Sequence, residues 1–386
     1  MLRSIIVMFT EAKDYRDTVI SVESSEFLRS FVKLGNKEMM DYTFLCRAFT
    51  ALSEETWRAI NGALCGYAKK EEKITSEKLR LDTTAYESNI HYPTDSSLLW
   101  DSYRTLARLM REAADELKES GFVHRFHTKK VKKLALSISR NSDKKAKGAH
   151  RTIKGTYRKL IARVEWIVSV GKVAEHLLSL RRDSKAVAVG AAIKSYLPIV
   201  EKITGQAERR VIKGEQVPSS EKGYSLFEDH TELIKRGRRA SRSSLGTRCC
   251  WLRRGRNSSF TMRRCPNRER IQESLRAHGE VFGCGPAVLA GDKGFYESRE
   301  QIKALSEKVE TVAICKKGRR TAEEDDREST EEFKAGQRFR AGIEGTISAL
   351  KRAYKLSRCL FKGFRRFASS VGCSVFCHNL VILAMT

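Results

Sequence analysis

The longest uniform stretch of this chain, residues 98–205, repeats apolar residues at helical spacing and contains very few turn signals. Such spacing places the apolar side chains on one face of each helix, which predicts a set of long packed helices. Strand-like segments precede and follow this stretch, at residues 78–87 and 287–292. We therefore predict an α/β fold with a long helical insertion after its first strand.

The N-terminal residues 1–75 also predict helices. Residues 25–32, 41–51 and 54–68 each repeat apolar side chains at helical spacing. Ser53 precedes two glutamates, which suit the positive end of a helix and mark its start. We predict a small helical domain that either docks DNA through a helix-turn-helix or has a purely structural core.

The chain is strongly basic, with a net charge of +27 over 386 residues. A chain of this length has room for two or three domains and a substantial core. The cationic excess predicts a polyanionic partner. Nucleic acid is the usual one, because each Lys or Arg set against a phosphate releases a counterion. A membrane surface is the competing interpretation.

Neither a membrane anchor nor a secretion signal is expected. No run of 18 or more apolar residues occurs, and residues 1–10 lack a small-residue cleavage site. We therefore expect a cytoplasmic protein. The ten cysteines are scattered, and no two pairs of them show zinc-ligand spacing with nearby histidines. Buried or free thiols are the expected state of these side chains.

Two lysine-rich runs lie within the helical stretch. The first run comprises Lys129, Lys130, Lys132 and Lys133, and the second comprises Lys144, Lys145 and Lys147. Such runs are often only the solvated face of a helix. In a chain this basic they also predict contacts with the phosphate backbone of DNA, without any preference for its sequence.

Two aspartates occupy strand positions that seldom hold an acid. Asp82 lies inside the alternating segment 78–87, although strand interiors avoid aspartate. Asp292 ends a short apolar strand, where an α/β sheet presents its functional carboxylates. A metal site at the sheet would explain both residues, whereas a bulge or a strand end is the competing explanation for Asp82. In the loop that follows the first strand, His91 and Asp95 could join this site or only shape the loop.

A helix near the C-terminus supplies a third candidate carboxylate. Helical spacing aligns Arg340, Glu344 and Ser348 along one face, and Lys351 follows two turns after Glu344. An acid flanked by bases in this way suits a metal ion and a phosphate. Taken alone, the stripe would be interpreted as a solvated ion pair, but the two strand aspartates favour a functional site.

Three carboxylates that lie far apart in sequence can converge only through the fold. Two strand aspartates and a helix glutamate are what two-metal phosphoryl transfer requires. In that chemistry carboxylates hold two Mg²⁺ ions roughly 3.5–4 Å apart, one activating the attacking oxygen and the other stabilising the leaving oxygen. No Ser/His/Asp arrangement, P-loop or dinucleotide-binding glycine motif in the sequence competes with this assignment.

Three blocks of the sequence resemble the DDE transposases of bacterial insertion sequences, whose catalytic domain is ribonuclease H-like. The blocks are residues 81–99, 291–295 and 338–351, in the family's order, and the resemblance covers most of the chain from about residue 20. It implies a ribonuclease H-like mixed sheet flanked by helices. It also implies that the metal-binding, catalytic triad is formed by Asp82, Asp292 and Glu344.

The third block is similar to a Tyr, Arg, Glu, Lys signature found in one broad branch of the family. Arg340, Glu344 and Lys351 match its spacing, and Gln337 stands where the tyrosine would be. The resemblance implies that Arg340 and Lys351 contact phosphates or steady Glu344. The departure at Gln337 bears on the subgroup rather than on the class.

The function implied by the resemblance is transposition of an insertion sequence. The enzyme would bind the ends of its element, hydrolyse a DNA strand with two Mg²⁺ ions or with Mn²⁺, and direct the freed 3′-hydroxyl at target DNA. It would act as a homodimer on paired ends, in the bacterial cytoplasm at the nucleoid and without a membrane. The alternatives are a catalytically inactive DNA-binding relic of such an enzyme and a generic protein that coats RNA or DNA.

Residues 238–270 follow neither a helical nor a strand period and contain eleven arginines but no lysine. Family members carry two sheet strands there. Permitted codons for residues 246–262, read two nucleotides further on, encode HKVLLAEAREKFIIHY, which is two apolar strands around a charged turn. We therefore hypothesise that residues 240–270 are translated out of frame between two compensating indels. Without the ten or so charges of this segment, an excess near +17 remains.

The remaining segments complete a prediction for the whole chain. Further strands are expected at residues 221–227 and 311–315, a charged loop at 316–331, and a last apolar segment at 371–385. The predicted organisation is an N-terminal helical domain at residues 1–75, the first part of the catalytic core at 76–97, a basic helical insertion at 98–205, and the remainder of the core at 206–386.

Overall fold

A computed structural model describes residues 1–142, 148–235, 243–254, 262–263 and 267–385. The second lysine run and much of the segment hypothesised to be out of frame lie outside these ranges. The α-helices in the described ranges are α1 Leu2–Thr10, α2 Tyr15–Ser24, α3 Glu26–Val32, α4 Tyr42–Ala51, α5 Glu54–Lys70, α6 Asp95–Glu116, α7 Thr128–Asn141, α8 Ala149–Ser179, α9 Ser184–Ala207, α10 Asn267–Phe282, α11 Arg299–Ser306, α12 Ala322–Ser329, α13 Glu331–Ala353 and α14 Phe364–Ala384.

The strands are shorter and fewer. In chain order they are β1 Lys78–Ser88, β2 Glu232–Lys235, β3 Ser243–Arg254, β4 Met262–Arg263, β5 Val288–Gly291, β6 Thr311–Ile314 and β7 Arg358–Cys359. The predicted α/β class is confirmed, with helices forming most of the described structure.

The chain forms two compact units, one made of residues 1–89 and 246–386 and the other of residues 90–245. Helices α1–α5 belong to the same unit as β1, β5 and β6, whereas a separate domain was predicted for residues 1–75. The cause is α14, which packs on α5 through the rings of Trp57 and Phe376, whose centroids are 6.0 Å apart. The second unit, residues 90–245, contains the whole of the predicted insertion 98–205.

The sheet of the first unit is mixed and is organised around β1. On one side β1 pairs with β3 in antiparallel orientation, and β4 continues antiparallel to β3. On the other side β5 runs parallel to the first half of β1, and β6 runs parallel to β5. Strands β3 and β4 lie within residues 238–270, a stretch whose sequence shows no strand period.

The predicted helix starts at residues 25, 41 and 53 coincide with side-chain caps. Ser25, Asp41 and Ser53 accept hydrogen bonds from the first free backbone N–H groups of α3, α4 and α5. Helices α1 and α2 were not predicted. The apolar residues of α1 are instead part of the core, where Ile5 and Phe9 are completely buried.

The second unit is built on four long helices, α6–α9, as the periodicity predicted. They share one apolar core that contains Leu106, Met110, Leu160 and Ile193. The strand predicted at residues 221–227 is wrong, because this stretch forms turns and irregular backbone. The N–H groups of Gly223 and Phe227 donate to the side chains of Gln206 and Ser225 rather than to a neighbouring strand. A strand, β2, occurs slightly later.

Two C-terminal predictions are also refined. The charged loop predicted at residues 316–331 contains α12, which begins at a capping box between Thr321 and Glu324. The last apolar segment is α14. Among the described residues it is the helix long and apolar enough to cross a membrane, but 67% of its apolar window is buried inside the protein. This burial is consistent with the core helix of a soluble protein.

Candidate active site

The register of two strands places Asp82 and Asp292 side by side. Leu81 of β1 pairs with Gly291 of β5 in a parallel ladder, and each aspartate directly follows its paired residue. Neighbouring strands lie roughly 4.8 Å apart. The two carboxylates therefore meet where β5 ends, at the edge where open α/β sheets carry their functional groups.

This edge is also a break in the sheet. Beyond Leu81 no described strand pairs with β1 on the side of β5 until β7, which pairs with it at Glu87 and Ser88. Asp82 is thus the first residue of β1 that has left the β5 ladder. Such a gap gives a substrate or an ion access to a residue that is otherwise inside a sheet.

Helix α13 brings the third carboxylate to this gap by packing closely on the sheet. A Cβ on Gly336 would lie only 2.5 Å from the Cβ of Ala313 in β6, and a Cβ on Gly342 only 2.5 Å from Nη1 of Arg80 in β1. The guanidinium of Arg80 also lies 4.5 Å from the ring centroid of Phe339 and donates to its carbonyl oxygen. Two glycines and a buried arginine therefore set the approach of α13 to β1 and β6.

Arg340 links the helix carboxylate to the strand carboxylate. Its Nη2 lies 3.5 Å from Oδ2 of Asp82 and 3.3 Å from Oε1 of Glu344. The Asp82 side chain is 12% exposed, whereas that of Glu344 is 68% exposed. The site therefore has a buried acid at the sheet, an exposed acid on the helix, and a shared cation between them.

The neighbouring charges and burial affect the pKa of Asp82. Burial is the main cause that raises the pKa of Asp82, and the negative charges of Asp292 and Glu344 raise it further. The N–H of Thr83, which donates to Oδ1 of Asp82 over 2.7 Å, and the cation of Arg340 oppose this shift. A buried acid whose pKa is raised by burial and by neighbouring acids is typical of functional sites.

The local backbone determines the position of Asp292. Its Oδ1 accepts a hydrogen bond from the N–H of Gly294, at the start of the 3₁₀ turn Lys293–Phe295. A Cβ on residue 294 would lie 2.8 Å from that oxygen. Gly294, two residues after Asp292, therefore leaves room for the carboxylate to fold back onto the turn.

The donor set fits a hard divalent cation, although Arg340 now stands between two of the acids. Among the residues described, no group of three or more His, Cys, Asp or Glu side chains has the arrangement of a metal site. Carboxylate oxygens are nevertheless the ligands that Mg²⁺ prefers. Asp82, Asp292 and Glu344 are the side chains that would hold it.

Two residues support this site through contacts that the sequence did not predict. Arg80 lies two positions before Asp82, and strand alternation puts both on the face covered by α13. Gln337 donates from Nε2 to the carbonyl oxygens of Gly291, at 3.2 Å, and of Ala313, at 2.5 Å. The amide thus ties α13 to the ends of two neighbouring strands. The signal available in the sequence was an arginine inside a predicted strand, two residues before the strand aspartate.

His91 lies in the irregular stretch before α6, and Asp95 is the first residue of α6. The predicted basic residues that the structure describes lie on two other helices. Lys351 is a partly buried residue of α13, two turns beyond Glu344. The first lysine run is on the solvent side of α7, opposite the buried residues Val131, Ala135 and Ile138. All four of its lysines are exposed, and no described carboxylate forms an ion pair with them. The second run, at Lys144, Lys145 and Lys147, falls outside the described residues.

Comparison with family models, with curated proteins and with solved structures gave no match to this chain. Its function must therefore be argued from the site and from the sequence.

Proposed function

We propose that this chain is a DDE-type DNA transposase with a ribonuclease H-like core, which cuts and joins DNA with Mg²⁺. The observation that supports this most is the convergence of Asp82, Asp292 and Glu344 at one break in the sheet. Pairing of the two strands accounts for the aspartates, and close packing of α13 accounts for the glutamate. The α/β class and the order of the three sequence blocks are compatible with the same proposal.

The protein's part in this chemistry is to hold three acids and a cation at one place. A bound pair of Mg²⁺ ions would activate the attacking oxygen and stabilise the leaving oxygen. Asp82 is partly desolvated, so its negative charge is poorly compensated by water and favours a cation. Arg340 supplies the compensating charge in the present arrangement and would contact a phosphate of bound DNA.

A nicking assay with the full chain tests this proposal. The protein is expected to nick supercoiled plasmid carrying the DNA that flanks its gene, in Mg²⁺ or Mn²⁺ but not in EDTA. Asp292→Ala should remove the nicking and leave DNA binding measurable in a gel shift. Asp325→Ala is the matched control, because Asp325 is an exposed acid of α12 in the same unit.

Two results would contradict the assignment. Nicking by the Asp292→Ala variant would exclude that residue from the site. Binding without any nicking by the unaltered chain would instead favour the inactive relic. The nucleotide sequence of the gene is an independent check, since terminal inverted repeats should surround it. The same sequence either contains or lacks the alternative frame over residues 240–270.

The exposed lysines of α7 are proposed to hold the DNA backbone. From Gly121 to Arg163 the sequence contains one acid, Asp143, which lies outside the described residues. Nothing in the described part of this surface offsets its positive charge. A uniform cationic surface binds phosphates without reading bases, through counterion release.

Neutralising the first lysine run is expected to weaken DNA binding and its salt dependence together. With Lys129, Lys130, Lys132 and Lys133 changed to Gln, the slope of log K against log salt should become shallower by up to about 3.6, at about 0.9 per lost phosphate contact on duplex DNA. Fluorescence anisotropy over a salt series measures it.

The matched control for the lysine run replaces three lysines of the same unit that are already paired with acids. Lys172, Lys185 and Lys194 bind Glu201, Glu116 and Glu175. The three substitutions to Gln should leave the slope nearly unchanged. An equal loss in both variants would show that α7 is not the contact surface.

A further inference from the structure

The second unit contains a small, partly open cavity of its own, with a volume of about 130 Å³. Its floor is apolar and includes Leu98, Leu233 and Leu245, of which Leu98 is only 2% exposed. Its rim carries aromatic and cationic side chains, so the cavity combines an apolar base with a polar edge.

Two tyrosines form the aromatic part of the rim. Tyr92 is 79% exposed, which is unusual for a large aromatic side chain. Tyr224 is partly buried and donates its hydroxyl to the carbonyl oxygen of Ser219 over 3.2 Å. Burial is the main cause that raises the pKa of Tyr224, opposed by Arg210 and reinforced by Tyr92. Both residues are therefore close to the Tyr224 hydroxyl.

The charged part of the rim is cationic. Arg210 and Lys222 line the cavity, and none of its described lining residues is acidic. Arg210 is anchored by a 2.7 Å contact from Nη1 to Oδ2 of Asp95, yet its side chain remains 39% exposed. No described carboxylate forms an ion pair with Lys222. The cavity therefore has positive charge available for an anionic ligand.

A buried hydrogen-bond chain holds this rim in place. Gln206 donates from Nε2 to Oδ1 of Asp95 over 3.1 Å and accepts from the N–H of Gly223 over 2.8 Å. Asp95 and Gln206 are 8% and 6% exposed. Both oxygens of Asp95 are thus occupied, and the backbone next to Lys222 and Tyr224 is tied to α6 and α9. Little ordering would be needed when a ligand binds.

We propose that this cavity binds a single nucleotide, with its base against Tyr92 and Tyr224 and its phosphate at Arg210 and Lys222. Aromatic side chains stack on any base, and a guanidinium with an ammonium suits a phosphate. A free nucleoside monophosphate and one residue of a single DNA strand share this chemistry. The proposal needs no metal and does not depend on the carboxylate site.

Isothermal titration of the full chain in EDTA, at moderate salt, tests the cavity. The probes are thymidine 5′-monophosphate, a short oligothymidylate, thymidine and inorganic phosphate. At least one of the first two is expected to bind about tenfold or more tightly than thymidine or phosphate alone. Tyr92→Ala and Lys222→Gln should each weaken that binding by about tenfold, the scale of one stacked base or one charged hydrogen bond.

Matched controls are available on both counts. Tyr67→Ala removes a tyrosine that is 55% exposed on α5, and Lys202→Gln removes an exposed lysine of α9. Neither should change binding. Since Tyr92 and Lys222 are on the rim, thermal unfolding should show both variants folded. Equal binding by the monophosphate and the oligomer would identify a free nucleotide as the ligand, and preference for the oligomer a single strand.

Two results would overturn the proposal. One is that neither the monophosphate nor the oligomer binds more tightly than thymidine and phosphate. The other is that Tyr92→Ala and Lys222→Gln bind the monophosphate and the oligomer as tightly as the unaltered chain does. In the second case the oligomer would be held elsewhere, for example on the lysines of α7.

Discussion

Replacing Asp82 by asparagine is expected to abolish Mg²⁺-dependent nicking while making the folded protein more stable. The loss should reach at least about a thousandfold, because metal-assisted charge stabilisation is worth several kcal/mol in such reactions. Asparagine has almost the same shape and can still accept the hydrogen bond from the N–H of Thr83. The variant therefore removes charge and metal affinity with little change in packing.

The stability gain follows from the direction of the pKa shift. Burial and two neighbouring acids raise the pKa of Asp82 in the folded protein above its ordinary value of 3.8. A raised carboxyl pKa means that the folded state binds this proton more tightly than the unfolded state. The tighter binding of this proton stabilises the folded protein below pH 3.8. This stabilisation is lost as the pH rises through the folded pKa. The unaltered protein bears the cost of the charge once the pH exceeds the folded pKa.

Urea unfolding without metal measures this effect. Asp82→Asn should raise the free energy of unfolding by about 0.5–2 kcal/mol at pH 7, the range common for single stabilising substitutions. The gain should shrink as the pH is lowered towards 3.8. Added Mn²⁺ should stabilise the unaltered protein more than the variant. Asp325→Asn, at an exposed acid, should show none of these changes.

Separate failures of the Asp82 experiment have separate meanings. Full nicking by Asp82→Asn would remove this residue from the proposed triad. A loss of stability at pH 7, with nicking abolished, would instead show that the ion pair with Arg340 outweighs the desolvation of Asp82.

Replacing Gln337 by methionine is expected to lower both stability and nicking. Its amide donates to the carbonyl oxygens of Gly291 and Ala313, and Gly291 immediately precedes Asp292. Methionine has a similar length but no donor, so it leaves both carbonyl oxygens without this partner. Leaving buried acceptors unsatisfied costs about 1–3 kcal/mol. The position of α13 relative to β5 would also become less defined.

The activity effect should be large but not complete. Residues that support metal ligands typically contribute about ten- to a hundredfold to metal affinity or activity. The Gln337→Met variant should accordingly need more Mn²⁺ for half-maximal nicking, and urea unfolding should show the stability loss. Lys334→Gln is the control, because Lys334 lies one turn earlier on α13 and is 49% exposed. Unchanged metal dependence in Gln337→Met would show that the amide stabilises the fold without supporting the site.

Some of the site was predictable because its signals are local. Asp82 was singled out as an acid inside a strand, and Asp292 as an acid that ends one. Glu344 was recognised by its helical spacing from Arg340. The hydrogen bonds of Gln337 were not predictable, since its partners lie 46 and 24 residues away and are backbone atoms. A side chain that bonds to distant carbonyls leaves no periodic pattern in the sequence.

Two features of the fold differ from what the sequence predicted. Helix α1 gave no helical period because its residues 4–9 are consecutive in sequence and all buried. The strand predicted at residues 221–227 failed because Gln206, in α9, bonds to the N–H of Gly223. In the second case a contact with a residue 17 positions away outweighed the local preference.

The sequence by itself determined the α/β class, the helical nature of residues 98–205, the capped helix starts, and which acids are unusual for their positions. These depend on interactions between residues a few positions apart. Only the tertiary structure decided that Asp82 and Arg340, 258 residues apart, meet at one break in the sheet. That meeting depends on the pairing of Leu81 with Gly291 and on the glycines that let α13 approach β1 and β6. Strand register and close packing are properties of the assembled chain, because each contact requires both partners to be already in place.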